Sequence, residues 1–180
     1  MKKGRGNMEE NFGVLNSPIG EIYIVYNAKG IIKVELFKSS WEDYQNKHKR
    51  LIRDESSSIF IKTTGQFEEY FQGKRTSFEL PICIEGTEFQ KEVWTALLEI
   101  PFGETRCYQD IAIRIGRPKA VRAIGQANRV NSFPIIIPCH RVIGKNGYMV
   151  GYAGSNIDVK VKLLQLEKTK VENEASKIKI

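Results

Sequence analysis

The chain has little of what staples or metallates a fold. Its 180 residues include three cysteines and two histidines. Cys83, Cys107 and Cys139 are odd in number and widely spaced, which argues against a disulfide framework and for a reducing interior. With only His48 and His140, nothing has the spacing of a zinc site, and neither a metal nor another cofactor is expected. No stretch approaches the ~20 apolar residues of a membrane span. Met1 to Asn16 carries basic residues but no apolar core segment and no small-residue cleavage site, so no secretory signal is expected. No dimerisation segment is evident. These absences point to a monomeric, cytoplasmic protein.

Acid is scarce in one region. From Met1 to Glu104 there are 14 basic and 16 acidic residues, a balance of −2. From Thr105 to Lys145 there are eight basic residues against the single acid Asp110, a balance of +7. A solvated surface usually mixes both signs, so this one-sided block suggests a polyanionic partner. Six of its eight cations are arginine, which suits phosphate and planar stacking better than lysine does. The apolar fraction of 41% and charged fraction of 27% are ordinary for a globular chain. The length suits one or two small domains.

The first half reads as a small α+β domain. Gly20 to Val25 is a predicted strand, Asn27 to Gly30 a turn, and Ile31 to Phe37 the returning strand. Trp41 to Arg53 is a surface helix or loop. Ile59, Phe60, Thr63, Phe67, Tyr70 and Phe71 recur at helical spacing, with Gly73 placed to end the helix. Phe78 to Ile84 reads as one more strand. No catalytic constellation is evident in this half.

A second unit starts at residue 86, giving domains of 1–85 and 86–180. Thr87 and Gln90 have the form of a capping box ahead of the apolar face Phe89, Val93, Trp94, Leu97 and Leu98. Tyr108 to Ile115 is a short predicted helix. Gly116-Arg117-Pro118 breaks it, with Pro118 suited to the first turn of the next, Lys119 to Asn128. Helix, short glycine-containing turn, helix is the helix-turn-helix outline. Lys119, Arg122 and Gln126 fall on its exposed face, with small residues around Arg122. Small residues also let helices pack tightly, so shape alone does not separate the two uses. Gly144 to Gly154 is glycine-rich, with Tyr148, Met149 and Tyr152 interleaved, and reads as a loop able to fold over a flat ring. Ile157 to Lys168 is amphipathic.

Ile137-Pro138-Cys139-His140-Arg141-Val142 carries the chemistry. It sets a thiol beside an imidazole, after an apolar stretch stiffened by Pro138. A cysteine is a nucleophile only as the thiolate, which nearby basic or cationic groups favour. Most unpaired cysteines are small buried core residues, and the dipeptide alone would favour that reading. Its surroundings reverse the odds.

Taken together, several segments resemble the O6-alkylguanine-DNA alkyltransferases (methylated-DNA–protein-cysteine methyltransferases), which are direct-reversal DNA repair proteins. They are Thr87 to Trp94, Ile100 to Thr105, Tyr108 to Ala112, Pro118 to Gly125, Pro138 to Gly144 and Gly151 to Gly154. The likeness spans Gly86 to Lys168. It implies a ribonuclease-H-like α/β N-terminal domain and a mainly helical C-terminal domain with the helix-turn-helix. It implies that Cys139 takes the alkyl group from guanine O6 as a thioether, once per protein. His140 would be the base, Glu167 its orienter, and Asn131 the brace between the helix-turn-helix and the active-site segment. Tyr108 would promote rotation of the target nucleotide and Arg122 would fill the vacancy in the stack, with Lys119, Ala123, Gln126 and Arg129 on the same DNA face, in the minor groove. Pro134, Arg141, Met149, Tyr152 and Ala153 would line the substrate pocket. The implied partner is double-stranded DNA containing O6-alkylguanine, with O4-alkylthymine a second candidate lesion. In the extended backbone expected at Cys139 and His140, neighbours face opposite ways, so a bridging water would relay the proton. Gly154-Ser155-Asn156 departs from the family's Gly-Gly pair. A damage binder of the same fold without transfer, a sequence-specific regulator and a cysteine hydrolase are the competing readings.

Overall fold

The structure, a computed structural model, describes residues 9–145, 147 and 157–167. Two compact units emerge. One comprises Met1–Glu68 and Glu79–Ile84, the other Glu69–Phe78 and Glu85–Ile180.

The first unit is built on a four-stranded sheet of order β3-β2-β1-β4, from β1 (Asn11–Ser17), β2 (Gly20–Asn27), β3 (Gly30–Glu35) and β4 (Ile52–Arg53). β1, β2 and β3 form an antiparallel meander, and β4 joins β1 in parallel. Every residue of β2 from Ile22 to Asn27 is buried, so both faces of the sheet are covered. On one face Phe12, Tyr23 and Val25 meet Trp41 of helix α1 (Lys38–Lys47), with the Tyr23 and Trp41 rings stacked at 4.8 Å. On the other, Tyr26 meets Phe60 of helix α2 (Ser58–Phe71). The expected strand over Phe78 to Ile84 does not form. Its Ile82 makes only an isolated bridge to Ile31, with Ile31 N donating to Pro81 O and Cys83 N to Ile31 O. Pro81 has no N–H to extend a ladder.

The second unit holds α3 (Glu88–Leu98), β5 (Arg106–Cys107), α4 (Tyr108–Arg114), α5 (Val121–Arg129), a single 3-10 turn (Cys139–Arg141), β6 (Val142–Ile143) and α6 (Ile157–Leu166). The capping box at α3 forms as expected: Thr87 Oγ1 accepts from Gln90 N and Gln90 Oε1 from Thr87 N. The indole N–H of Trp94 in α3 donates to Ala127 O at 2.9 Å, which ties α3 to the last turn of α5. α4 ends in a Schellman arrangement, with Gly116 at φ 71 and bonds from Gly116 N to Ile113 O and from Arg117 N to Ala112 O. Pro118 does not open α5. It lies with Lys119 in a separate turn closed by Ala120 N on Arg117 O, and α5 starts at Val121. β5 and β6 pair in parallel, which brings Cys107 alongside Ile143 and the start of α4 beside the Cys139 turn. Among the described residues no helix is long and apolar enough to cross a membrane.

Thr87→Ala removes one arm of the capping box. The expected loss is about 1 kcal/mol of stability, read from the urea midpoint at unchanged slope.

Candidate active site and nucleic-acid interface

The segment leading to Cys139 is held by one asparagine. Asn131 lies two residues past the end of α5, after Val130. Its Oδ1 accepts from Phe133 N and its Nδ2 donates to Ile137 O, both at 2.9 Å. Between them Ile135 has φ 74, a region that a β-branched residue almost never occupies. Ile135 is fully enclosed, and Ile137 N bonds Phe133 O across it. Surrounding packing and hydrogen bonds hold a conformation that the residue alone would leave.

Pro138 then turns the chain into the 3-10 turn. Arg141 N reaches Pro138 O and Cys139 N reaches Ile137 O. The extended geometry expected at Cys139 and His140 is therefore replaced. Successive side chains of a 3-10 turn are about 120° apart rather than opposed. Asn128, buried on the inner face of α5, donates to Cys139 O at 3.4 Å.

Glu167 is the hub. It lies just after α6 and is 1% exposed. Its Oε1 accepts from His140 Nε2 at 2.7 Å, from Tyr70 Oη at 2.7 Å and from Arg141 Nη2 at 3.0 Å. Its Oε2 accepts from Arg141 Nε at 2.9 Å and from Gly103 N at 3.3 Å. Gly103 has φ 79, and a Cβ there would sit 3.1 Å from Glu167 O. Burial alone would raise the Glu167 pKa. The bonds and charges of His140 and Arg141 outweigh it and hold the carboxyl at about 2. Arg141 is the permanent charge of the two, so Glu167 stays ionised when His140 is neutral. Burial, more than any neighbour, pushes His140 down from its ordinary value. An ionised Glu167 accepts from Nε2–H, which leaves Nδ1 as the imidazole's basic nitrogen. That atom is buried and has no hydrogen-bond partner among the described residues.

Two further groups act electrostatically on Cys139. Tyr108, at the start of α4, has its phenol pushed up by burial and then by the charge of Cys139, with Asn128 opposing. Lys160 of α6 is fully buried, with Nζ on Val142 O at 2.5 Å. Burial pushes its ammonium down to about 8, against a pull upward from Cys139. A buried cation coupled to a buried thiol favours the thiolate.

The sequence reading missed Lys160 and Tyr70. Lys160 shares the inner stripe of α6 with Leu163, Leu164 and Glu167. A charge at that spacing was the available signal. Tyr70 lies 97 residues from Glu167 and was assigned only to packing. Nothing local marks it.

The arginine-rich block divides on folding. Arg106, Arg114 and Arg117 pair with Glu104, Glu99 and Glu92, and Arg141 with Glu167. The acids come from outside the block, so its net charge overstated the exposed field. Lys119, Arg122 and Arg129 form no ion pair among the described residues. Arg122, Ala123, Gln126 and Arg129 make one exposed stripe along α5, opposite the buried Ile124, Ala127 and Asn128, and exposed Lys119 lies in the turn before it. A Cβ added at Gly125 would meet the Tyr108 ring at 3.9 Å.

Of the expected pocket residues, Pro134 is half-buried beside Ile135. The Arg141 guanidinium is buried on Glu167 and Ile100 O, where it supplies the cation that the buried carboxylate needs. Met149, Tyr152 and Ala153 lie outside the described residues. No group of three or more His, Cys, Asp or Glu able to hold a metal occurs among the described residues. The three cysteines are in no disulfide.

Two family signatures match the chain: 6-O-methylguanine DNA methyltransferase, ribonuclease-like domain, over residues 11–84, and the DNA binding domain of the same family over residues 88–169. The chain is 44% identical over 84% of its length to the constitutive methylated-DNA–protein-cysteine methyltransferase of Bacillus subtilis, covering 92% of that protein. It is 46% identical over 87% of its length to the Methanosarcina barkeri methylated-DNA–protein-cysteine methyltransferase, covering 96% of it. Among solved structures, the Mycobacterium tuberculosis OGT in complex with DNA superimposes with a TM-score of 0.78 at 39% identity, covering 88% of this chain and 92% of that one.

The depressed Glu167 pKa stabilises the fold fully above the ordinary carboxyl range, and that contribution is lost as pH falls through about 2. Glu167→Gln is expected to cost on the order of 3 kcal/mol at pH 7, by leaving Arg141 buried without its anion. Thermal melts from pH 7 down to pH 2 should show the gap to the native protein closing only below the ordinary carboxyl range, as the unfolded chain and then the native carboxyl protonate.

Proposed function

The chain belongs to the 6-O-methylguanine DNA methyltransferase family, and from that premise we propose that it removes alkyl groups from guanine O6 in duplex DNA through Cys139. Its activity is that of a methylated-DNA–protein-cysteine methyltransferase. The reading is carried by one observation: a buried thiol, an imidazole oriented by an ionised carboxylate at 2.7 Å, and an exposed cationic helix face lie in the same compact unit.

In this reading His140 Nδ1 takes the Cys139 proton, directly or through one water, and Lys160 favours the thiolate that results. The sulfur attacks the alkyl carbon. The new S–C bond forms as the O6–C bond breaks, and guanine leaves with its electron pair and regains a proton. A thioether has no easy hydrolytic exit, and no second thiol stands in the turn to displace it. Each protein therefore reacts once. O6 is out of reach while the base is stacked, so the nucleotide must be extruded. Tyr108, at the start of α4, would crowd the target phosphate. Arg122 is the long side chain among Ala120, Ala123 and Gly125, which are small enough for close approach to a groove. Lys119 and Arg129 would meet phosphates, and Asn131 would keep α5 and the Cys139 segment in register. The substrate is O6-alkylguanine in double-stranded DNA, the protein acts as a monomer, and its work is intracellular, with access to the chromosome.

Mixing the protein with a duplex containing O6-methylguanine should add about 14 Da, mapped to the peptide holding Cys139 and saturating at one per protein. Cys139→Ala should bind the duplex and gain no mass. Binding by the native protein without mass gain would leave a lesion binder as the reading.

Arg122→Ala should slow transfer from duplex DNA by about tenfold or more while leaving the reaction with free O6-methylguanine base within about twofold, since only the stacked base needs extrusion. Equal losses on both substrates would remove Arg122 from that role.

A further inference from the structure

Glu167 is a crowded acceptor. Three donors share Oε1, and only one of them is the imidazole that the proposed reaction uses. Tyr70 contributes a hydroxyl that neither the turn nor α6 supplies. It comes from the last turn of α2, its ring fully enclosed. Phe78 lies 5.5 Å from that ring and Phe102 meets it edge-on at 6.0 Å. Phe102 also carries the Arg141 guanidinium at 5.7 Å. The hydroxyl is thus fixed by packing and aimed at the oxygen that orients His140. Packing alone would be met by phenylalanine, which would leave no buried hydroxyl to satisfy.

We propose that Tyr70 is a positioning residue of the transfer reaction, its hydroxyl sharing Glu167 Oε1 with His140 and thereby limiting how strongly the carboxylate draws the imidazole toward its protonated form. This rests on the assignment of Cys139, His140 and Glu167 to catalysis. A base that is to take a thiol proton must itself be neutral, yet a buried carboxylate at 2.7 Å favours imidazolium. The groups that face His140 pull in both directions. Glu167 from the end of α6 raises its basicity, while Arg141 from the same turn and Lys160 from α6 lower it. Tyr70 from α2 and Gly103 N from the segment after α3 draw on the carboxylate rather than on the imidazole. Of these two, Tyr70 competes for the same oxygen. Burial and the adjacent carboxylate push its phenol far upward, so it remains a donor at any working pH.

The test uses the full chain with ¹⁵N-labelled histidine. The protein has only two histidines, and exposed His48 is the internal control. Tyr70→Phe should shift the His140 titration and the acid limb of the single-turnover rate upward by about half a unit to one unit. That lowers the rate by roughly three- to tenfold on the acid limb of the native profile, wherever it falls, and leaves the rate at pH 8.5 within about twofold. Replacing Tyr70 with 3-fluorotyrosine keeps the ring and strengthens the donor, so both readings should move the other way. The second variant also decides the matter if loss of the hydroxyl impairs folding. Rates scaled equally at every pH, with His140 unmoved in both variants, would reduce Tyr70 to packing. The His140 titration needs no turnover. Absence of transfer by the native protein would overturn the proposed function, whereas normal transfer with an unmoved His140 would overturn only the role of Tyr70.

Discussion

One buried negative charge organises the second unit. A carboxylate removed from water costs several kcal/mol unless donors replace its hydration. Glu167 meets that demand with a guanidinium, an imidazole, a phenol and a backbone amide. Each donor comes from a different stretch of chain or a different position on the 3-10 turn. Arg141 neutralises the charge permanently, which frees His140 to be uncharged. Arg141 also spans to Ile100 O, so the turn that carries the thiol is pinned to the end of α3. The constraint on Glu167 thus sets both the shape of the turn and the protonation state of its imidazole.

The cationic field is arranged by the same sorting of paired and unpaired charge. Arginines at Arg106, Arg114 and Arg117 meet glutamates at the surface, where such pairs contribute little to stability. Their effect is to leave Lys119, Arg122 and Arg129 as a row of solvent-facing cations without an ion pair among the described residues. The inner side of α5 supplies Asn128 to Cys139 O, and the residue stretch after it supplies Asn131. One helix therefore presents the candidate DNA face and steadies the backbone of Cys139. This makes α5 the mechanical link between recognition and chemistry in the proposed function.

What was legible in the sequence was local. The Thr87–Gln90 capping box, the β2–β3 hairpin, α2 with its stop at Gly73, and the Gly116 helix end all follow from short-range rules, and all are present. The Cys139-His140 pair and the cationic stripe of α5 were readable because their residues are close in the chain. Strand β1 was not read, because Asn11 to Ser17 looks like a polar leader until β2 pairs with it. The strand expected at Phe78 to Ile84 failed at Pro81, whose cost depends on which ladder it enters. Lys160 was hidden as one cation on an amphipathic helix, and the bond from Arg141 to Glu167 was not read because the two are 26 residues apart. Tyr70 was beyond reach. Its meaning depends on a carboxylate 97 residues later, and no local pattern encodes such a contact.

The order of these residues along the chain has a consequence for biosynthesis. Glu167 comes after every group it binds: after Tyr70, Gly103, His140 and Arg141. On a ribosome Cys139 is translated before Lys160 and Glu167, and the clamp cannot form until the chain through Glu167 is free to fold. The nascent nucleophile has neither the oriented imidazole nor the buried cation that would activate it. Reactivity therefore arrives with the closing helix, and a protein that can react only once is not armed before α6 has docked.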